Sequence, residues 1–497
     1  MSGPHILALD QSTSATKALL FDTQGRVLDR ESLSHRQHYP QPGWAEHDAE
    51  EIWQNTLSVL RAVAARAQGA GREIVGLSIT NQRETIVVFE RDTGRPLAPA
   101  IVWQDRRGDA LCAGQEAAGR GGAIHARTGL KLDAYFSASK LQWLVRHRPD
   151  LSTALESGAA IIGTIDTYLV HRLTAGRVFA TDHTNASRTL LFDITRLTWD
   201  EDLCAWWQVP RRALAEVREP KAHFGETTLE GTLARPLPIC GVMGDSQAAL
   251  FAQRCFEPGS AKVTFGTGSS ILLNTGSSPT LSDRGVVTAL GWVIDGVPTY
   301  TFEGIIITSA ATLTWLRDQL GFVRDVAEIE SLAAQVPTSD GVYLVPAFSG
   351  LGLPHWAPAA RAAIVGLTGH SDRRHVARAA LESMAYQLRD ALAAMRTEAG
   401  VALRSLQADG GPTANRLLMQ FTADITRVEL RVAASPDCSP LGAAFAGMLG
   451  LGIHRSLADL AALPREELTF QPAMALEVAQ DLGAGWDRAV AQVVRSG

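Results

Sequence analysis

Apolar residues open the chain in short, punctuated runs. Residues 6–10, 16–21 and 27–31 predict three strands, separated by the Ser12-Thr13-Ser14 turn and by Gln24-Gly25. The proline-rich stretch 40–43, ahead of Trp44, reads as loop. Asp48 then stands at a helix start, because Ile52, Trp53, Leu57, Leu60 and Val63 recur at helical spacing. Strands are expected at 74–79 and 85–89, with a polar loop at 80–84 between them. A turn at 92–96 leads to a strand at 101–103, and helices are expected near 107–119, 139–147 and 166–173. From 185 to 237 the chain is rich in Trp and Pro and weakly periodic, which predicts short helices in an irregular connection. The apolar run 239–243 passes through Gly244 and Asp245 into a helix carrying Ala248, Ala249 and Phe251. Asp245 is therefore placed where a strand hands over to a helix, at the lip of a cleft.

The plan then repeats. Glu257-Pro258-Gly259 breaks the pattern, so two units are expected, 1–254 and 255–497. Strands are predicted at 262–267, 271–274, 286–294 and 299–303, and helices at 305–320 and 326–335. A strand at 343–346, a long helix at 374–398, a strand at 406–409 ending in Gly410-Gly411, and a helix at 415–425 follow. The stretch 262–269 reads as a copy of 6–14, with a strand, a tight turn and a Ser/Thr cluster.

Composition adds limits. A length of 497 residues exceeds one core and implies two or three domains. A net charge of -6 argues against a dedicated nucleic-acid binder. Cys112, Cys204, Cys240, Cys255 and Cys438 lack CxxC spacing, which suits free thiols in a reducing compartment. Asp10 interrupts the apolar start, so no signal peptide is read there, and the uncharged stretch 438–453 is too short to span a membrane. A cytoplasmic protein is expected.

Several residues are candidates for chemistry. The 10–17 hairpin offers amides, hydroxyls and Lys17, the donors a phosphate needs; an ordinary Ser/Thr turn has the same composition. The second turn, Gly266-Thr267-Gly268, strengthens the phosphate reading, since two such loops make a nucleotide clamp. Asp10 could hold Mg²⁺ through water. Asp245 is either a general base at a cleft or a plain helix cap. Arg83-Glu84 could bind polyol hydroxyls or form a surface ion pair. Trp103 and Tyr135 could wall a pocket or pack in the core. Gly410-Gly411, ahead of Asn415, suits close approach to a nucleotide, or a simple turn. No GxxxxGK[ST], GxGxxG, HExxH or GxSxG motif is present, so a nucleotide enzyme here works without a P-loop.

Together, these residues resemble the FGGY family of carbohydrate kinases, and within it the glycerol kinase branch. The likeness runs from about residue 6 to about residue 470. It is carried by Thr80-Asn81-Gln82-Arg83-Glu84-Thr85, Ala100-Ile101-Val102-Trp103-Gln104 and Thr184-Asn185-Ala186-Ser187-Arg188-Thr189. Asn415-Arg416-Leu417-Leu418-Met419-Gln420-Phe421 and the segments 135–143, 362–367 and 380–382 are similar to the family too. The resemblance implies an α/β fold of two ribonuclease-H/actin-like ATPase domains flanking a catalytic cleft. It implies ATP-dependent phosphorylation of a terminal hydroxyl of a small polyol, glycerol foremost, to give sn-glycerol 3-phosphate. Asp245 would be the base. Arg83, Glu84 and Tyr135 would bind the polyol, with Trp103 as wall. Thr13, Ser14, Gly266 and Thr267 would face the phosphates, Gly411 and Asn415 the nucleotide, and Mg²⁺ would sit near Asp10 and Asp245. Homodimers or homotetramers are common in the family.

Departures from the family pattern bear on substrate. Ser246 stands in place of Gln and Ser270 in place of a Phe wall, which implies a wider, more polar pocket suited to a longer polyol such as erythritol or threitol. Lys17 replaces Arg, Ser12 replaces the hairpin glycine, and Ala310 and Thr314 replace residues lining the adenosine site. The loop that binds fructose bisphosphate in some relatives is not kept near Ala234-Arg235-Pro236. A reading from another class is a catalytically idle actin-like assembly protein; the Arg83-Glu84 pair and Asp245 argue against it.

Overall fold

The architecture comes from a computed structural model, which describes residues 3–282 and 285–495. Its first sheet grows from the N-terminal meander of β1 (His5–Gln11), β2 (Ala15–Asp22) and β3 (Val27–Ser34). β4 (Ile74–Asn81) lies parallel to β1. β5 (His223–Thr227) and β6 (Leu237–Gly244) complete the order β5-β6-β4-β1-β2-β3, with β6 parallel to β4 and β5 antiparallel at the edge. The second sheet repeats this scheme. β7 (Ser260–Phe265) and β8 (Ser269–Gly276) form the hairpin, while β9 (Val287–Ile294) and β10 (Val297–Ile306) extend it. β11 (Ser405–Asp409) lies parallel to β7, β12 (Leu430–Ala433) parallel to β11, and β13 (Glu467–Phe470) closes the edge antiparallel. The order is β9-β10-β8-β7-β11-β12-β13, so the tandem plan expected from the chain is present.

Each face of the first sheet is buried by a different part of the chain. Successive strand residues point to opposite faces. Leu7 and Leu9 join the core under α1 (Ala49–Gly69), with Ile52, Trp53, Leu57, Leu60 and Val63. Asp48 caps that helix as expected, its carboxylate accepting from Glu50 N at 2.8 Å. Ile6 and Ala8 face the other way, into a cluster with α2 (Asp245–Ala252) and with Ala444, Phe445 and Met448, far along the chain. The second sheet packs on the long α3 (Arg373–Ala399) and on α4 (Arg416–Thr426). The distant residues on the first sheet belong to α5 (Cys438–Gly450). Glycines let α5 approach: a Cβ on Gly442 would lie 1.8 Å from Ala248 O, and one on Gly450 would lie 2.1 Å from Lys221 O.

Some boundaries differ from the sequence reading. Helix was expected over 305–320, but β10 continues to Ile306 and the helix runs Ala311–Asp318. Ile305 and Ile306 are β-branched and pair with Ser270 and Ser269, which holds them in the sheet. Thr80 and Asn81, expected in a loop, are the last strand pairs of β4 with β1 and β6. The helix α5, the strands β12 and β13 and the C-terminal helix Leu476–Arg495 carry no earlier assignment. All five cysteines are buried and free, and no helix among the described residues is long and apolar enough to cross a membrane.

Candidate active site

Asp245 and Arg83 issue from the ends of neighbouring parallel strands, because Met243 pairs with Thr80 and Gly244 with Asn81. Asp245 is the first residue of α2, and the cap position belongs to Gly244. Its Oδ1 accepts from Ser246 N at 2.6 Å and lies 3.3 Å from Arg83 Nε, while the side chain stays 37% exposed. The capping alternative is thereby removed, and the carboxylate is open to a ligand. The handover is held from behind: Gly244 N donates to Thr184 Oγ1 at 2.8 Å, and that hydroxyl donates to Asp182 at 3.0 Å.

Asp182 brings a pH dependence with it. Burial, then the nearby Asp166 carboxylate, raises its pKa to about 7. A carboxyl raised on folding contributes stability below its unfolded pKa and loses it as pH rises through the folded value. Stability should therefore fall, by on the order of 1 kcal/mol, between pH 6 and 8 from this group. Melting curves across that range should show the decline, and Asp182→Asn should make it shallower, the buried Asp10 supplying what remains; an equal decline in the variant would refute the assignment.

Arg83 and Glu84 are both buried, which overturns the surface ion-pair alternative. Glu84 takes a left-handed backbone, φ 62°, of the kind that collects at functional positions. Its Oε1 accepts from Arg188 Nε at 2.6 Å, and burial pushes its carboxyl pKa up against the pull of Arg188 and Arg83. Arg83 Nη2 donates to Glu303 Oε1 at 2.8 Å, and Arg83 Nη1 lies 3.2 Å from Gln247 Oε1. Trp103 and Tyr135 meet at 5.4 Å between ring centroids, tilted by 58°. Both are half-buried, as a pocket wall requires. The turn carrying Tyr135 is gripped by the buried Lys140 ammonium, which donates to the carbonyls of Ala134, Tyr135 (2.8 Å) and Phe136 (3.1 Å). Burial depresses that lysine to about 8. Ser246 is half-buried, and Ser270 Oγ is enclosed without a partner among the described residues.

The first turn is closed by Ser12 N donating to Ala15 O at 2.9 Å, which leaves Thr13 half-buried and Ser14 exposed. Trp103 Nε1 donates to Thr13 Oγ1 at 2.9 Å and so joins the pocket wall to this turn. The second turn is closed by Gly266 N to Gly268 O at 2.9 Å. Ser309 N and Ala310 N donate to Thr267 O (2.8 Å) and Gly266 O (3.0 Å). Ala310 thus sits against the turn, and Thr314 lies exposed one helical turn on. Gly410 has φ 98°, and a Cβ there would lie 1.9 Å from Phe265 O, so the exposed Gly411 is held beside the second turn. Asn415 spends its Oδ1 capping α4, accepting from Leu418 N at 2.8 Å; only its amide nitrogen remains for a ligand.

Asp10 lies opposite Lys17 in the hairpin, 3.8 Å from Nζ. Burial raises its pKa to about 7; Asp245 and Asp437 add to the rise, and Lys17 opposes it. Asp437 and Asp245 each have an arginine partner, Arg30 and Arg83, whereas buried Asp10 has only Lys17 at 3.8 Å. That donor set fits a hard divalent cation, which prefers carboxylate oxygen and keeps its waters. The sequence reading missed Asp437, which stands just before α5 and pairs with Arg30 at 3.2 Å. It also assigned no role to Glu303, Arg188 or Lys140. A glutamate inside an apolar strand was the available signal for Glu303.

Comparison with known proteins places this geometry. Residues 5–252 match the N-terminal domain model of the FGGY family of carbohydrate kinases, and residues 261–451 match its C-terminal domain model. The chain belongs to the FGGY family of carbohydrate kinases. Two similar FGGY relatives are both named glycerol kinase. The one from Thermus brockianus is 47% identical over 486 residues, 98% of each chain. The one from Carboxydothermus hydrogenoformans is 44% identical over 490 residues, 99% of this chain and 98% of that one. A solved glycerol kinase from Plasmodium falciparum, with ADP, superposes with a TM-score of 0.94 at 34% identity, covering 99% of this chain and 98% of that one. The fold is thus the paired actin-like ATPase architecture of the FGGY kinases, and the chain is a kinase of that type.

Proposed function

We propose that this kinase transfers the γ-phosphoryl group of ATP to a terminal hydroxyl of glycerol, giving sn-glycerol 3-phosphate and ADP. The observation that carries the reading is the open Asp245 carboxylate beside the buried Arg83–Glu84 pair, 3.3 Å from Arg83 Nε. A buried cation and carboxylate can donate to and accept from adjacent hydroxyls, while Trp103 and Tyr135 cover the carbon skeleton. Asp245 accepts the proton of the terminal hydroxyl. The freed oxygen attacks the γ-phosphorus, the bond to the β–γ bridging oxygen breaks, and ADP leaves. Positioning supplies most of the rate in such transfers.

Thr13, Ser14, Lys17, Gly266 and Thr267 are the groups read as facing the phosphates. Ala310, Thr314, Gly411 and the amide nitrogen of Asn415 are read as the nucleotide side. Asp10 and Asp245 would hold Mg²⁺, which when bound neutralises charge on the β- and γ-phosphates. On this reading 1–254 carries the polyol groups and the first turn, and 255–497 the nucleotide side. Five buried free thiols suit a reducing compartment, and so a cytoplasmic enzyme; a homodimer or homotetramer is the assembly proposed.

A second reading rests on Ser270. Its enclosed hydroxyl has no partner among the described residues, and a buried hydroxyl costs free energy unless it is bonded. The added hydroxyl of a four-carbon polyol would satisfy it. ADP formation measured with glycerol, erythritol, threitol and five-carbon polyols separates the two. The highest kcat/KM is expected for glycerol, with four-carbon polyols turned over within about a hundredfold, the scale of discrimination available from small changes in pocket fit. ATP binding without ADP formation on any polyol would refute both.

A further inference from the structure

Glu303 lies in β10 between Phe302 and Gly304, with its side chain only 2% exposed. A carboxylate at such a place must be paired, or it would take up a proton. It is paired twice. Oε1 accepts from Arg83 Nη2 at 2.8 Å, and Oε2 stands 2.6 Å from Arg188 Nη1. Arg188, itself 1% exposed, binds Glu84 through Nε at 2.6 Å. A chain of alternating charge results: Glu84, Arg188, Glu303, Arg83, then Asp245 at the cleft. The first four are buried and cancel, so the negative charge left over is on the exposed end. Burial alone would raise the Glu303 carboxyl, but Arg188 and Arg83 outweigh it and hold the pKa down to about 2.

Glu303 is the one member of this chain that comes from the second sheet, and its strand is fastened on both sides. Toward the first unit, Tyr300 Oη donates to Ile194 O at 2.8 Å. Gln247 Nε2, from α2, donates to Leu290 O at 3.2 Å on the adjacent β9. Toward the second turn, β10 pairs with β8: Leu272 faces Glu303, and Ser269 faces Ile306, next to Gly268.

We propose that Glu303 and Arg188 are positioning residues for the polyol site. They act through Arg83 and Glu84: Glu303 holds Arg83 back from closing fully on Asp245, and Arg188 aims the Glu84 carboxylate. The polyol site is thus completed only by a carboxylate delivered from the second unit. Without the Glu303 charge, Arg83 is left with Asp245 as its nearest free counter-ion, and the cation that should meet substrate is drawn onto the base.

This rests on the glycerol reading above, and the experiment keeps the two apart. Steady-state kinetics with glycerol and ATP are measured for the wild type, Glu303→Gln and Arg188→Lys, alongside melting curves. Both variants are expected to raise the glycerol KM at least tenfold while the ATP KM stays within twofold. A purely structural role would move both KM values together and lower the melting temperature. Parallel rises, or no rise in the glycerol KM, overturn the inference. Should Glu303→Gln be recovered unfolded, Arg188→Lys, which keeps the charge and loses the fork, decides by the same criterion. A wild type that binds ATP but forms no ADP with glycerol refutes the function first, and this inference with it.

Discussion

Asp245→Asn is expected to lower kcat by roughly three orders of magnitude, within the range lost when a positioned general base is removed. Asn keeps the shape and can still accept from Ser246 N, so the turn at the head of α2 should persist. What disappears is the capacity to take a proton. Glycerol affinity should stay within about threefold, because Arg83, Glu84 and Trp103 are untouched. Single-turnover measurements would place the loss in the chemical step. Retained turnover, or a loss confined to the KM values, would mean that another group accepts the proton.

The second large effect is expected far from substrate. Gly442 on α5 lies so close to α2 that an added Cβ would meet Ala248 O at 1.8 Å, Ala248 C at 2.5 Å and Ala248 Cα at 2.9 Å. These are backbone atoms and cannot rotate aside. Gly442→Val must therefore push α5 away from α2, at a cost of about 3 kcal/mol or more. The displacement also reaches the site: Ser439 Oγ, one turn earlier, donates to Asp245 O at 3.0 Å. Low soluble yield and a melting temperature well below wild type are expected, and any folded fraction should show reduced kcat. Gly114, exposed inside a helix and with nothing within 4 Å of an added Cβ, serves as the control, and Gly114→Ala should stabilise slightly, by up to about 1 kcal/mol. A wild-type melting temperature for Gly442→Val would refute the tight-seam reading.

The parts of the fold that could be read from the chain were those whose signal is local. Alternation and turn residues marked β1 to β3 and, again, the β7–β8 hairpin, because each strand's pairing partner lies within a tight turn of it. Asp48 and its heptad-like apolar residues marked α1 for the same reason. The helix α5 was invisible because its burial is all-round: an uncharged run of small residues has no polar face, hence no helical period to detect. The start of the 311–318 helix was misplaced because residues 305–306 are committed to a distant strand partner. At the site, Arg83, Glu84, Asp245 and the two turns were legible from residue type and position. Glu303 was not, since its meaning depends on two arginines 220 and 115 residues earlier that only the fold brings to it. Asn415 shows the opposite case, in which a residue assigned to a ligand spends its oxygen on a helix cap.

The placement of α5 also bears on how the protein is made. The face of the first sheet formed by Ile6, Ala8, Leu19 and Phe21 is covered by Ala444, Phe445 and Met448. During synthesis that face leaves the ribosome some four hundred residues before its cover does. The leading half must wait with an oily surface only partly covered, by α2, and so shielded by a chaperone or only loosely ordered. A chain terminated anywhere before α5 is, on this view, an aggregation hazard rather than a working fragment.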